Sequence, residues 1–103
     1  MKMRRSRVLE KLRAGQVAGC LKMNLSDPRV VDIAAASGID CVWVDMEHVP
    51  SDYRDIENQV RAAKVFDVDA IVRVCKGSYS DLIRPLELDA TGIMVPHLMS
   101  AEE

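Results

Sequence analysis

Polar side chains stand at or just beyond the ends of short apolar runs in this sequence: Lys22, Asn24, Asp45, Glu47, His48, Arg73, Lys76 and His97. The densest group is the run Val44-Asp45-Met46-Glu47-His48-Val49-Pro50. A histidine can carry a proton near neutral pH, and a carboxylate beside it fixes its tautomer and raises its basicity. Arg73 is flanked by Ile71, Val72 and Val74. A guanidinium in an apolar strand needs an anion, because an unpaired buried charge is very costly. A protein carboxylate or an anionic ligand would serve equally. Lys22 poses the same question more weakly, since lysine can snorkel. Taken singly, His48 and His97 also suit ordinary loop positions. Trp43 reads as core, and Met23, Met46, Met94 and Met99 as core or wall.

The elements that must position these groups alternate. Ser6 caps a short helix through Ala14, closed by Gly15. Ala18 to Met23 reads as a strand. Asp27-Pro28 opens a helix that Gly38 ends. Ile39 to Val44 is a β-branched, aromatic strand. Ser51 is the expected cap of a helix with Tyr53, Ile56, Val60 and Ala63 on one face. Ala70 to Val74 is a third strand, and Ser78 or Ser80 opens a further helix to about Leu88. Pro85 is expected to kink or delay that helix. Gly92 to Val95 is a fourth strand. Strands that alternate with helices pair in parallel through right-handed crossovers. The runs are apolar on both faces, as buried parallel strands are. The fold class is α/β, either an open doubly wound sheet or the N-terminal part of a (β/α)8 barrel, with about four strand-helix units. In such folds ligands meet the C-terminal ends of the strands, where the polar groups collect. Ser100-Ala101-Glu102-Glu103 has the form of a capping box. That box favours the barrel reading, with residues 1–103 as one incomplete domain. A whole barrel takes about 250 residues.

Composition excludes several classes. Of 103 residues, 49% are hydrophobic and 29% charged, values ordinary for a globular domain and not for a disordered chain. The formal net charge of -2 implies no nucleic-acid partner. The basic start, Lys2, Arg4, Arg5 and Arg7, is short and reads as a solvated end. No apolar run approaches a membrane span or a secretory signal. Cys20, Cys41 and Cys75 lack C-x-x-C spacing and read as buried reduced thiols, so the cytoplasm is the expected compartment. No glycine-rich phosphate loop, H-x-x-x-H or cysteine cluster is present.

Several motifs in fixed order resemble the HpcH/HpaI class II aldolases. They are Leu12-Arg13-Ala14-Gly15, Ser26-Asp27-Pro28, Asp45-Met46-Glu47-His48-Val49-Pro50, Val72-Arg73-Val74, and Thr91 to His97 followed by Met99 to Glu103. The resemblance implies a (β/α)8 barrel, usually a homo-oligomer, that acts as a carbon-carbon lyase on a 2-oxo acid such as pyruvate and an aldehyde. It implies a divalent metal, Mg²⁺, Mn²⁺ or Co²⁺, that stabilises an enolate. By position His48 matches the family's acid/base histidine. Arg73 matches the arginine that holds the oxo acid, and Glu87 the carboxylate supporting the histidine. Asp45 and Glu47 are expected to line the site. The resemblance places the metal ligands beyond residue 103, so no residue here is assigned to metal. Lys22 and Asp89 depart from the family pattern, where an aromatic residue and a glycine are common. Two other readings compete: a non-catalytic α/β module that binds an anionic ligand or partner through Arg73 and His48, and a citrate-lyase-like enzyme acting on a CoA thioester.

Overall fold

Polar caps set the helix starts, and short apolar runs, β-branched in the two central strands, lie between them. The computed structural model describes residues 2–103. The order is α1 (Arg7–Arg13), β1 (Cys20–Met23), α2 (Pro28–Ala36), β2 (Cys41–Asp45), α3 (Tyr53–Val65), β3 (Asp69–Arg73), α4 (Tyr79–Glu87) and β4 (Gly92–Met94). The Ser6 hydroxyl accepts from the Leu9 amide at 3.1 Å, and Asp27 accepts from the Arg29 amide at 2.9 Å. Asp52, not Ser51, caps α3. It accepts from the Asp55 amide at 2.9 Å while Asp55 accepts from the Asp52 amide at 3.0 Å. A carboxylate one residue later closes both halves of a capping box, and Ser51 instead pairs its hydroxyl with Ser26 at 2.8 Å. Ser78 opens α4, where Asp81 accepts from its amide at 2.7 Å and its hydroxyl at 3.0 Å. Pro85 is buried inside α4, which continues only two residues further.

The four strands form one sheet in the order β1-β2-β3-β4, every neighbouring pair parallel. Alternation gives the sheet two faces. Val42, Val44, Ala70, Val72 and Val74 pack with Val31, Ile56, Val60 and Ala63 of the helices, all nearly or fully buried. At about 25 cal/mol per Å² of apolar surface removed from water, this layer is the main stabilising term. The other face is arranged in rows. Lys22, Trp43, Ile71 and Gly92 share one register row, and Asp45, Arg73 and Met94 the next. Inward side chains of parallel barrels stack in such layers.

Two expectations need correction. β1 is an edge strand, so Cys20 and Leu21 are exposed and it is not buried on both faces. Of the three cysteines only Cys41 is buried; Cys20 starts the edge strand and Cys75 lies just past β3. The start of the sheet is anchored to α1 by two aspartates. Asp69 accepts from Ser6 Oγ at 2.6 Å and from the amides of Arg7 and Val8 at 2.8 and 3.1 Å. Asp40 accepts from Arg7 Nε and the Gly19 amide, each at 2.9 Å. Residues 101–102 form a turn, and the helix expected from Ser100 is not formed within residues 100–103. Four residues supply no partner four positions on. Among the described residues no helix is long and apolar enough to cross a membrane.

Candidate functional site

β2 and β3 end side by side, with Asp45 paired in register with Arg73. This juxtaposition builds the site. Asp45 is fully buried. Arg73 Nε donates to its Oδ1 at 3.0 Å, and a second guanidinium nitrogen reaches Oδ2, a two-point fork. Lys22 Nζ from β1 lies 3.3 Å from Oδ2. The Arg73 guanidinium holds the Asp45 carboxyl well below the usual carboxylate range, outweighing the opposing effect of burial. The buried arginine therefore takes a protein carboxylate as its partner.

Asp45 also shapes the loop that follows. Its Oδ1 accepts from the amides of Glu47 at 2.9 Å and His48 at 3.3 Å. The side chain thus wraps residues 46–48 over the strand end in an Asx-type turn. β2 stops at Asp45, and Glu47, two residues on in the turn, comes to the same site. Its Oε1 lies 3.6 Å from Arg73 Nε and 2.9 Å from His48 Nε2. Its Oε2 lies 3.1 Å from His97 Nε2. One carboxylate, only 13% exposed, therefore bridges two imidazoles that are 66% and 71% exposed.

The expectations divide clearly. The structure brings Asp45, Glu47, His48 and Arg73 together. It does not bring Glu87 to them within this chain. Glu87 sits in the last turn of α4, beside Tyr53, Arg84 and Leu88, and the carboxylate touching His48 is Glu47. Trp43 is not core: its ring lies 4.9 Å from the Arg73 guanidinium and 5.5 Å from Lys22 Nζ, a cation-π platform under both. The methionines also divide, Met23 being buried and Met99 exposed. His97, one of the strand-end candidates, also enters the site. It comes from the loop after β4, and its only sequence signal is its place beyond a strand end.

The divalent metal implied by the resemblance can be tested against these groups. A hard cation takes several oxygen ligands. Asp45 is committed to Arg73, Lys22 and two amides, and Glu47 to Arg73 and two histidines. The two carboxylates do not fit a Mg²⁺ site.

Fold and site together define a class: parallel, barrel-type α/β folds in which an arginine, a histidine and two carboxylates meet at the C-terminal ends of neighbouring strands. Residues 20–103 match the family model described as HpcH/HpaI aldolase/citrate lyase, and the chain belongs to that family. The hydroxypyruvate/pyruvate aldolase of Pseudomonas aeruginosa is 29% identical over 98 residues, covering 95% of this chain and 37% of that protein. The crystal structure of an HpcH/HpaI aldolase from Desulfitobacterium hafniense DCB-2 superposes with a TM-score of 0.86 at 33% identity, covering 95% of this chain and 38% of that one. The crystal structure of citrate synthase SbnG gives 0.84 at 33% identity, covering 90% and 38%. The chain thus spans under two-fifths of the length of each of these relatives. Its alternating strands and helices match the N-terminal part of the barrel-type aldolase fold.

Proposed function

We propose that residues 1–103 supply the acid-base and anion-holding part of an aldolase site, completed by further strands of a longer barrel. The reaction is the cleavage or formation of a carbon-carbon bond next to a 2-oxo acid such as pyruvate, with an aldehyde as the other partner. The observation that carries this reading is the convergence of His48, Glu47, Asp45 and Arg73 on two adjacent strand ends. Arg73 holds negative charge: its guanidinium presents five donors, and Asp45 occupies only two directions of the fork. His48 moves the proton, with the Glu47 carboxylate 2.9 Å from Nε2 stabilising the imidazolium that forms. Trp43 forms an apolar floor under the guanidinium. Glu87 has no part in this relay. A divalent metal, when bound by ligands outside these residues, supplies electrostatic stabilisation of developing negative charge.

The test measures pyruvate release from hydroxy-oxo acids with Mg²⁺, Mn²⁺ or Co²⁺, together with exchange of the pyruvate methyl protons into deuterated water. The 103-residue chain alone should show no metal-dependent cleavage. In a longer product of the same gene, His48→Ala should slow both reactions about 10²–10⁴-fold, the usual contribution of a positioned acid-base group. Wild-type turnover in that variant would sink the assignment. The family description also names citrate lyase, and the same assay with a CoA thioester separates that substrate from a free oxo acid.

A further inference from the structure

The link between Glu47 and His97 has no part in the proposed proton relay. His97 Nε2 meets Glu47 Oε2 at 3.1 Å, and His48 Nε2 meets Oε1 at 2.9 Å. The three residues offer ligand atoms that all lie within 4.8 Å of one another. Ligand atoms bound to one tetrahedral ion at about 2.0–2.2 Å sit roughly 3.3–3.5 Å apart, so small side-chain movements suffice.

The backbone holds this arrangement from two directions. His97 has φ of +56°, a left-handed conformation that a non-glycine residue rarely adopts. Lys76 Nζ fixes that turn, donating to the His97 carbonyl at 3.0 Å and to the Glu103 carboxylate at 2.8 Å. On the other side Asp45 fixes the Glu47 and His48 amides. The two imidazoles come from loops 49 residues apart in sequence yet share one carboxylate.

Charge decides which ion fits. Asp45 and Glu47 are balanced by Arg73 and Lys22, so no excess negative charge draws in a hard dication. The donors that remain are two imidazoles and one carboxylate oxygen. This set suits Zn²⁺, Co²⁺, Ni²⁺ or Cu²⁺ and not Mg²⁺ or Ca²⁺. Two histidines and a glutamate with a fourth position left to water is a known zinc arrangement.

We infer that Glu47, His48 and His97 form a binding site for a transition-metal dication of the zinc type. It is separate from any hard-metal site that completes the barrel. Occupation takes His48 as a ligand and so removes it from proton transfer, a consequence that rests on the proposed function. The binding itself does not.

The experiment titrates Zn²⁺ into the 103-residue chain by calorimetry, with Co²⁺ as a visible-absorption probe. One saturable site per chain is expected, with a tetrahedral nitrogen-oxygen Co²⁺ spectrum that millimolar Mg²⁺ does not abolish. His97→Gly removes the ring and the left-handed strain together, so it should fold at least as well, as far-ultraviolet circular dichroism will show. It should weaken Zn²⁺ binding by more than the roughly 10–100-fold typical of losing an outer-shell partner. Glu47→Gln should do the same. A Cys20→Ser, Cys75→Ser double variant should bind like the wild type, because those exposed thiols are the other soft ligands. Absence of saturable binding, full affinity in His97→Gly, or loss of binding in the cysteine variant would each overturn the site.

Discussion

Replacing Asp45 by asparagine should be the most informative single change. The side chain keeps its size but loses its charge. In the wild type one carboxylate receives Arg73 at 3.0 Å, Lys22 at 3.3 Å and the amides of Glu47 and His48 at 2.9 and 3.3 Å. Asparagine can keep an acceptor oxygen at the Oδ1 position for the loop amides and Arg73 Nε, but it loses Oδ2, which meets the second guanidinium nitrogen and Lys22. Its NH₂ group then faces guanidinium donors. A hydrogen bond to a charged group is worth about 1.5–3 kcal/mol, and breaking a buried pair costs about 3–5 kcal/mol. Arg73 retains 17% side-chain exposure and can reach water, which places the expected loss at the lower end, about 2–3 kcal/mol. The acid dependence follows from the depressed carboxyl of Asp45. Its stabilisation is fully present above the unfolded pKa of about 3.9 and is lost as pH falls towards the lower folded value. The gap between wild type and variant should therefore be flat from pH 8 to about 5 and close below about 4. Urea denaturation measures it, read by circular dichroism and by Trp43, the one tryptophan, whose ring lies under Arg73. A loss below about 0.5 kcal/mol at pH 7, or a gap that closes between pH 8 and 6, would refute the role of this carboxylate.

Three further outcomes are expected. Ile56, fully buried between α3 and the sheet, should cost about 2–5 kcal/mol on change to alanine, measured by the same denaturation. Asp67 and Asp89 follow α3 and α4 with φ of +54° and +75°, where glycine is preferred. Asp67→Gly should stabilise by about 0.5–1 kcal/mol, whereas Asp89→Gly should gain less because it loses the 2.6 Å pair with Lys64; equal gains would show that pair to be worthless. β1 and β4 are edge strands, with Leu21 and Met94 exposed on them, so size-exclusion chromatography of the 103-residue chain should show self-association; a monomer at high concentration would contradict this.

Local chemistry along the chain determined the elements. Short apolar runs, β-branched in β2 and β3, and capped helical segments mark all four strands and all four helices, because a cap or a strand propensity acts within a few residues. The caps at Ser6 and Asp27 follow directly, and the structure takes Ser78 of the two serines Ser78 and Ser80, while Asp52 displaces Ser51 because a neighbouring carboxylate forms the better box. The need of Arg73 for an anion was equally legible, since burial of a guanidinium is costly wherever it occurs. Which anion answers it was not. Asp45 lies 28 residues away and meets Arg73 only because β2 and β3 pair in parallel in one particular register. The same holds for Glu47: alternation puts it on the side of Asp45, but its meeting with His48 and His97 depends on the end of β2 and the turn held by Asp45. Trp43 and His97 carry no local sign of their roles, because a cation-π platform and a bridged imidazole are relations between strands. Propensity is a property of neighbours in sequence; a site is a property of neighbours in space, and here the register of four parallel strands decides who those neighbours are.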